Sequence, residues 1–198
     1  MNVYEAVTRR RSIRRFTDKA VPRAILEKCV DAARLTPSAM NLQPCEYIIV
    51  DDKELLPKVF ATVRSWAGKP WPAEVPVSYQ PKAYIVTLIN SRLEEEMGGK
   101  RNHTVIDVGQ ANENMILVAM EEGLGSCTLM SFTPRELKPL LGLPDHHDIG
   151  LVLALGYPAE SPVIETSTDS TKRWTDESGV LHVPKRKLED ILHYNKIT

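Results

Sequence analysis

Arg9-Arg10-Arg11-Ser12-Ile13-Arg14-Arg15-Phe16 places five arginines in seven residues. The chain as a whole carries 25 Lys+Arg against 26 Asp+Glu. The positive charge is therefore concentrated here rather than general. Charge packed this tightly repels itself unless water or an anion compensates it. Ser12 adds a small hydroxyl donor that suits a phosphate oxygen. Two readings of the stretch follow: a site for a phosphate-bearing cofactor, or a solvated basic turn.

The composition around it narrows the classes. A chain of 198 residues suits one domain with a real core, or one subunit of an oligomer. Apolar content of 42% is that of a globular protein and argues against disorder. A net charge of -1 argues against a generic polyanion binder. Cys29, Cys45 and Cys127 form no CxxC pair, so reduced thiols in a cytoplasm are expected. No signal-type apolar core follows the N-terminal Met, and no apolar stretch reaches membrane-span length. His103, His146, His147, His182 and His193 show no metal spacing, and His146-His147 reads as a surface pair.

Outward from the arginines, helix and strand patterns alternate. Val3, Ala6 and Val7 suggest a short amphipathic helix before the run. Pro22 suits the first turn of a second helix, carried by Ile25, Leu26, Cys29, Val30 and Ala33 and stopped by Pro37. Tyr47–Val50 and Ala83–Ile89 read as buried strands, with a helix at Leu55, Val59, Phe60 and Val63 between them. Ser91–Thr104 is polar and reads as a mobile surface loop or a frayed helix. Val105–Glu122 is the longest helix candidate and leaves little polar surface, so it belongs in a large core or between subunits. Gly123 and Gly125 suit a helix C-cap. Cys127–Phe132 is extended, and Thr133-Pro134-Arg135-Glu136 has the form of a capping box. Ile149–Leu155 is a strand. Lys172–Pro184 reads as a hairpin turning at Asp176-Glu177-Ser178-Gly179, and an arm or helix closes the chain from Leu188 to about Asn195. No repeat or linker interrupts the pattern, so the expectation is one α+β domain over residues 1–198.

Four segments, taken in order, carry a resemblance. They are Arg10-Arg11-Ser12-Ile13-Arg14-Arg15-Phe16, Thr36-Pro37-Ser38-Ala39-Met40-Asn41-Leu42-Gln43-Pro44, Gly123-Leu124-Gly125-Ser126-Cys127, and Leu153-Ala154-Leu155-Gly156-Tyr157-Pro158 followed by basic Pro184-Lys185-Arg186-Lys187-Leu188-Glu189. Together this set resembles the FMN-dependent nitroreductase family, over nearly the whole chain from Val3 to Asn195. The resemblance implies a mostly antiparallel central sheet wrapped by helices. It implies a homodimer with two FMN sites at its interface, each drawing on both chains.

The resemblance also assigns residues. Arg10 and Ser12, with Lys185 and Lys187, match positions that hold the FMN phosphate. Arg14 matches a basic position at the flavin's pyrimidine edge, where a cation favours the charge that collects on reduction. Arg11 contributes through its backbone, whereas Arg9 and Arg15 are expected to be exposed. Pro37, Ser38, Ala39 and Asn41 match the segment that the second subunit brings to the flavin. Leu129, Met130 and Ser131 match the stretch whose backbone N–H groups lie against the ring near N5. No catalytic side chain and no metal is implied, because the flavin performs the redox chemistry. Many relatives place an Asn and a basic residue at the pyrimidine edge, between the second helix and the next strand. Here that region, Arg64-Ser65-Trp66-Ala67-Gly68-Lys69-Pro70-Trp71, does not align, and Arg64 and Lys69 are the substitutes on offer. Trp66, Trp71 and Trp174 suit packing better than stacking on a substrate. Cys127 suits a buried structural thiol better than a nucleophile.

The implied activity passes a hydride from NADH or NADPH through flavin N5 to a nitroaromatic, a quinone or a similar small acceptor by a ping-pong cycle. With no GxGxxG, the nicotinamide nucleotide would bind transiently. Reductive dehalogenation, flavin fragmentation and azoline dehydrogenation are the same-fold alternatives, and Ser91–Thr104 is the one candidate lid. A non-enzyme in which Arg9–Arg15 binds nucleic acid or an acidic partner is a third class. The near-neutral charge and the second cluster at Lys185–Lys187 count against it, so neither nucleic acid nor a membrane is expected as a partner.

Overall fold

The computed structural model describes residues 2–66, 69–70, 75–96, 98 and 101–197. They fall into two compact units, Met1–Ala159 and Glu160–Thr198.

In the first unit, α1 (Val3–Arg9) starts where the Asn2 side chain accepts the Glu5 N–H at 2.8 Å. α2 spans Arg23–Arg34 and follows Pro22, which stands at the cap rather than in the first turn. The elements that follow are β1 (Cys45–Val50), α3 (Leu55–Ala61), the short β2 (Ser65–Trp66) and β3 (Lys69–Pro70), β4 (Ala83–Asn90), α4 (Ser91–Glu96), α5 (Arg101–Glu121), β5 (Gly125–Leu129), α6 (Pro134–Leu140) and β6 (His147–Gly156). The main sheet has the order β1-β4-β6-β5, and every pairing in it is antiparallel.

β4 is buried from Ala83 to Ile89 on both faces. Its sequence is accordingly a continuous apolar run rather than an alternation. Ala83, Ile85 and Ile89 face α2 and α5, through Leu26, Cys29, Val108, Met115 and their neighbours. Tyr84, Val86 and Leu88 face Phe16, Val59, Phe60, Trp66 and Leu137 on the other side. The register slips by one residue between Thr87 and Leu88, opposite Gly150. A Cβ at 150 would come within 3.2 Å of Val108, so the bulge is also where α5 approaches the sheet.

Several expectations are corrected here. For Ser91–Thr104 the helical one of the two readings holds: α4 occupies its first part and α5 begins at Arg101. Gly123 ends α5 with φ of +76°, as a C-cap glycine should, but Gly125 is the first residue of β5. Its lack of a side chain serves a close approach described below. His147 is not a surface residue. It is 7% exposed, and its Nε2 lies 2.9 Å from Glu46 Oε2 across the sheet. Thr133 stands at the N-cap of α6, where its carbonyl accepts the Glu136 and Leu137 N–H groups, but its side chain makes no cap bond: the Arg64 guanidinium donates to both Thr133 Oγ1 and Glu136. Trp66 is a core residue at 2% exposure. Trp71 and the side chain of Lys69 lie outside the described residues.

The second unit has the strand order β7-β9-β8, with β7 (Val163–Thr166) parallel to β9 (Leu181–Lys185) and β8 (Trp174–Thr175) antiparallel to it. The expected hairpin is formed, turning at Gly179 with φ of +84°. A 3-10 turn at Leu188–Asp190 opens the closing arm, which is exposed. Among the described residues no helix is long and apolar enough to cross a membrane.

Candidate functional site

The arginine run leaves α1 and lies beside β5. Ser12 forms a parallel bridge to Ser126, and the Ile13 N–H donates to the Ser126 carbonyl at 2.8 Å. Ile13 is anchored in the core at 8% exposure, and Phe16 is fully buried. The two apolar residues of the run are thus its fixed points. Arg10, Arg11, Ser12 and Arg14 are half-buried at its surface.

The arginines differ in what they can offer. Arg10 lies 3.6 Å from Glu113 of α5. That is longer than the roughly 2.7–2.9 Å of a charge-assisted hydrogen bond, so a stronger acceptor could recruit its guanidinium. Arg11 turns back onto its own helix end and donates to the carbonyls of Arg10 and Thr8. Burial, and then the neighbouring Arg10 charge, lower its pKa. Its side chain is occupied, which leaves its backbone to serve a ligand. The Arg14 carbonyl accepts the Trp66 indole N–H at 3.2 Å. Arg9 pairs with Glu5, and Arg15 stacks its guanidinium 4.2 Å from the Tyr79 ring centre.

β5 continues into residues 129–131, expected beside the flavin ring. Leu129 points into the core at 6% exposure, whereas Met130 is 69% exposed and Ser131 is exposed as well. The Ser131 carbonyl accepts the Arg64 N–H at 2.8 Å.

The segment holding Pro37, Ser38, Ala39 and Asn41 lies elsewhere, against α5. Ala39–Asn41 is a 3-10 turn, and Met40, Asn41 and Gln43 all have positive φ, of 54°, 57° and 50°. Three non-glycine residues in that region within four positions are a local strain that surrounding bonds must hold. Ser38 Oγ accepts the Gln43 N–H at 3.0 Å, and Asp107 of α5 lines a cleft with Ser38 and Ala39. Asp107 is 6% exposed, and its Oδ2 is buried with no hydrogen-bond partner among the described residues. Burial raises its pKa, partly countered by the nearby Ala39 backbone. Asp107 also lines a cavity of about 130 Å³ with Thr36, Ser38, Gln43, Cys45 and Tyr47. Desolvation pushes the Cys45 thiol up to about 11, so it is inert at neutral pH. Arg10 meets α5 six residues further on than Asp107, or about 9 Å along the axis at roughly 1.5 Å per residue.

In the second unit Lys185 is exposed and lines a cavity of about 560 Å³ with Thr171, Arg173 and Arg186. Lys187 lies 3.6 Å from Glu189. Arg186 lies within the basic segment quoted above without an assigned role, and Arg173 was not singled out from the sequence. A cation-rich hairpin and arm was the available signal.

A two-faced antiparallel sheet with an arginine run docked on its edge strand defines an α+β class of fold. The sequence comparisons make the class specific. The family model "Nitroreductase family" matches residues 7–157, and the chain belongs to that family. A protein of Methanothermobacter thermautotrophicus, provisionally named NADH dehydrogenase/NAD(P)H nitroreductase, is 33% identical over 166 residues, covering 82% of this chain and 80% of its own. The FMN reductase [NAD(P)H] of Bacillus subtilis is 29% identical over 168 residues, covering 80% and 66%. The crystal structure of a nitroreductase family protein from Clostridium difficile superposes with a TM-score of 0.70 at 25% identity, covering 100% of both chains.

Proposed function

We propose that this chain is an FMN-dependent oxidoreductase that takes its electrons from NADH or NADPH and passes them to a small acceptor such as a nitroaromatic or a quinone. The observation that carries the reading is the docking of Arg10–Arg14 on β5 through Ile13 and Ser126. The family membership and the activities named for the relatives support it.

The donor set fits the cofactor. Arg10, only loosely engaged by Glu113, and the hydroxyl of Ser12 suit a phosphate dianion, with the backbone of Arg11 beside them. Lys185 and Lys187 keep the phosphate role that the resemblance implies. Arg14 supplies positive charge at the pyrimidine edge. Leu129, Met130 and Ser131 keep the role that the resemblance implies, backbone N–H donors to the ring. FMN held there would supply the redox chemistry, carrying reducing equivalents from NAD(P)H to the acceptor in a ping-pong cycle. The chain's own contribution is orientation, charge and exclusion of water.

The active form in this reading is a homodimer, in which Pro37, Ser38, Ala39 and Asn41 of one chain reach the flavin of the other. In its support, Val3, Tyr4 and Val7 of α1, Met40, and Val105 and Ile106 of α5 are all exposed in the single chain. Apolar surface of that kind calls for cover.

The test is the anaerobic visible spectrum of the purified protein before and after NADH or NADPH. A flavin spectrum that bleaches is the expected result. A colourless protein that takes up no added FMN overturns the reading. Mass balance of the acceptor after turnover separates nitro or quinone reduction from dehalogenation or loss of the flavin itself.

A further inference from the structure

We propose that Arg64 and Trp66 are positioning residues that set the spacing between the two segments assigned above to the flavin. The inference rests on that assignment of Arg14 and of Leu129–Ser131.

The two segments are 117 positions apart in sequence if measured from Arg14 to Ser131 (131 − 14). The short stretch after α3 touches both. On one side, the Trp66 Nε1–H donates to the Arg14 carbonyl at 3.2 Å. Trp66 itself is immobilised in the core, edge-on to Phe60 with ring centres 5.2 Å apart and planes at 82°. On the other side, Val63 and Phe132 form an antiparallel bridge. The Arg64 N–H donates to the Ser131 carbonyl and the Thr133 N–H to the Thr62 carbonyl, both at 2.8 Å. The Arg64 guanidinium then reaches past the bridge to Thr133 Oγ1 and Glu136.

The fate of the capping box shows that the Arg64 side chain does more than steady a helix. Thr133 and Glu136 have the spacing to cap α6 by pairing with each other's backbone. In the structure both are drawn to Arg64 instead, and α6 has no side-chain cap bond. The two groups best suited to α6 are used to tie the β5–α6 crossover to the 62–66 stretch. In this arrangement the Arg64 guanidinium donates to Thr133 and Glu136 rather than to a ligand. A stretch bonded to both segments fixes the distance between them, and with it the width of the slot that a flat ring must enter.

Trp66→Phe keeps the ring in the core and removes only the N–H. Arg64→Gln removes the reach to Glu136 and leaves the backbone bridge intact. In the protein freed of flavin, amide hydrogen exchange over residues 12–16 (Trp66→Phe) and 130–136 (Arg64→Gln) is expected to speed up about ten-fold, the effect of one lost bond. In the FMN-loaded protein, flavin reduction at saturating NAD(P)H is expected to fall about ten-fold while KM for the nucleotide stays within about three-fold, a split that belongs to orientation rather than binding. The double variant is expected to cost less than the product of the singles, because both act on one spacing. Wild-type exchange and wild-type reduction in both variants would overturn the proposal, as would fully multiplicative effects. If Arg64→Gln does not fold, Trp66→Phe decides alone. A wild-type protein that binds no FMN defeats the proposed function instead, and the exchange measurement still tests the bracket.

Discussion

The side chain of Ile13 lies directly over Gly125: a Cβ at 125 would sit 2.6 Å from Ile13 Cγ1 and 2.7 Å from Ile13 Cβ. Both are far inside the roughly 3.5–4.0 Å of carbon–carbon contact. The clash is with the root of a β-branched side chain, which cannot swing away. Gly125 is therefore what lets the arginine run lie flat on β5.

Gly125→Ala should push Ile13, and with it Arg10–Arg14, off the strand. An overpacking cost of about 1–3 kcal/mol is expected in denaturant unfolding. FMN affinity, read by flavin fluorescence titration, should fall by more than the same titration shows for an alanine placed at exposed Gly109.

Arg10→Ala and Glu113→Gln should act in opposite directions. Losing the Arg10 guanidinium removes a charged hydrogen bond to phosphate, worth about 1.5–3 kcal/mol or roughly ten- to a hundred-fold in Kd. Neutralising Glu113 releases Arg10 from its 3.6 Å partner and should tighten FMN binding. Full flavin occupancy in Arg10→Ala at low FMN would refute the phosphate assignment.

The strained turn at Ala39–Asn41 should be sensitive to the charge on Asp107. A carboxyl whose folded pKa is raised stabilises the fold below its unfolded pKa and loses that contribution as pH rises through the folded value. Asp107→Asn keeps the shape of the side chain and carries no charge to bury. Its melting temperature should exceed that of the wild type at pH 8, and the gap should close near pH 4. An equal gap at both pH values would show that the charge is irrelevant.

The second unit should have a stability window bounded on both sides. His182 stacks on Trp174 with ring centres 3.9 Å apart, and its two nitrogens meet Glu165 and Asp176 at 3.1 and 3.3 Å. Desolvation lowers its pKa, but the bonds to Asp176 and Glu165 outweigh that, and the net shift is upward. Its contribution is thus complete below the unfolded histidine value and lost as pH rises through the folded one. Asp176 is held down to about 2 by the Ser178 hydroxyl, the Val180 N–H and then His182. The Trp174 indole, and then His182, lower Glu165. The carboxylate contributions are complete above the unfolded carboxylate values and fade as pH falls. The NMR titration of the His182 ring should fall above the roughly 6.5 of a free histidine, and Asp176→Asn should bring it down.

The sequence by itself determined the periodic elements and the family. Ala83–Ile89 read as a buried strand, the run from Val105 as a long helix for a core or a subunit interface, and the Asp176–Gly179 turn as a hairpin. Hydrophobic period and turn chemistry are local properties, and so is the order of the four segments that mark the family. Tertiary structure decided which polar groups meet. His147 finds Glu46 from 101 positions away, and Arg64 takes Glu136 from 72. Thr133-Pro134-Arg135-Glu136 reads as a cap until Arg64 arrives to compete for it. Gly125 reads as a cap until Ile13 lies over it. A donor chooses among acceptors only once the chain has brought them together, and burial then makes the unpaired alternative costly. That choice is what separates Arg10, loosely held and able to meet a phosphate, from Arg11, already bonded to its own helix.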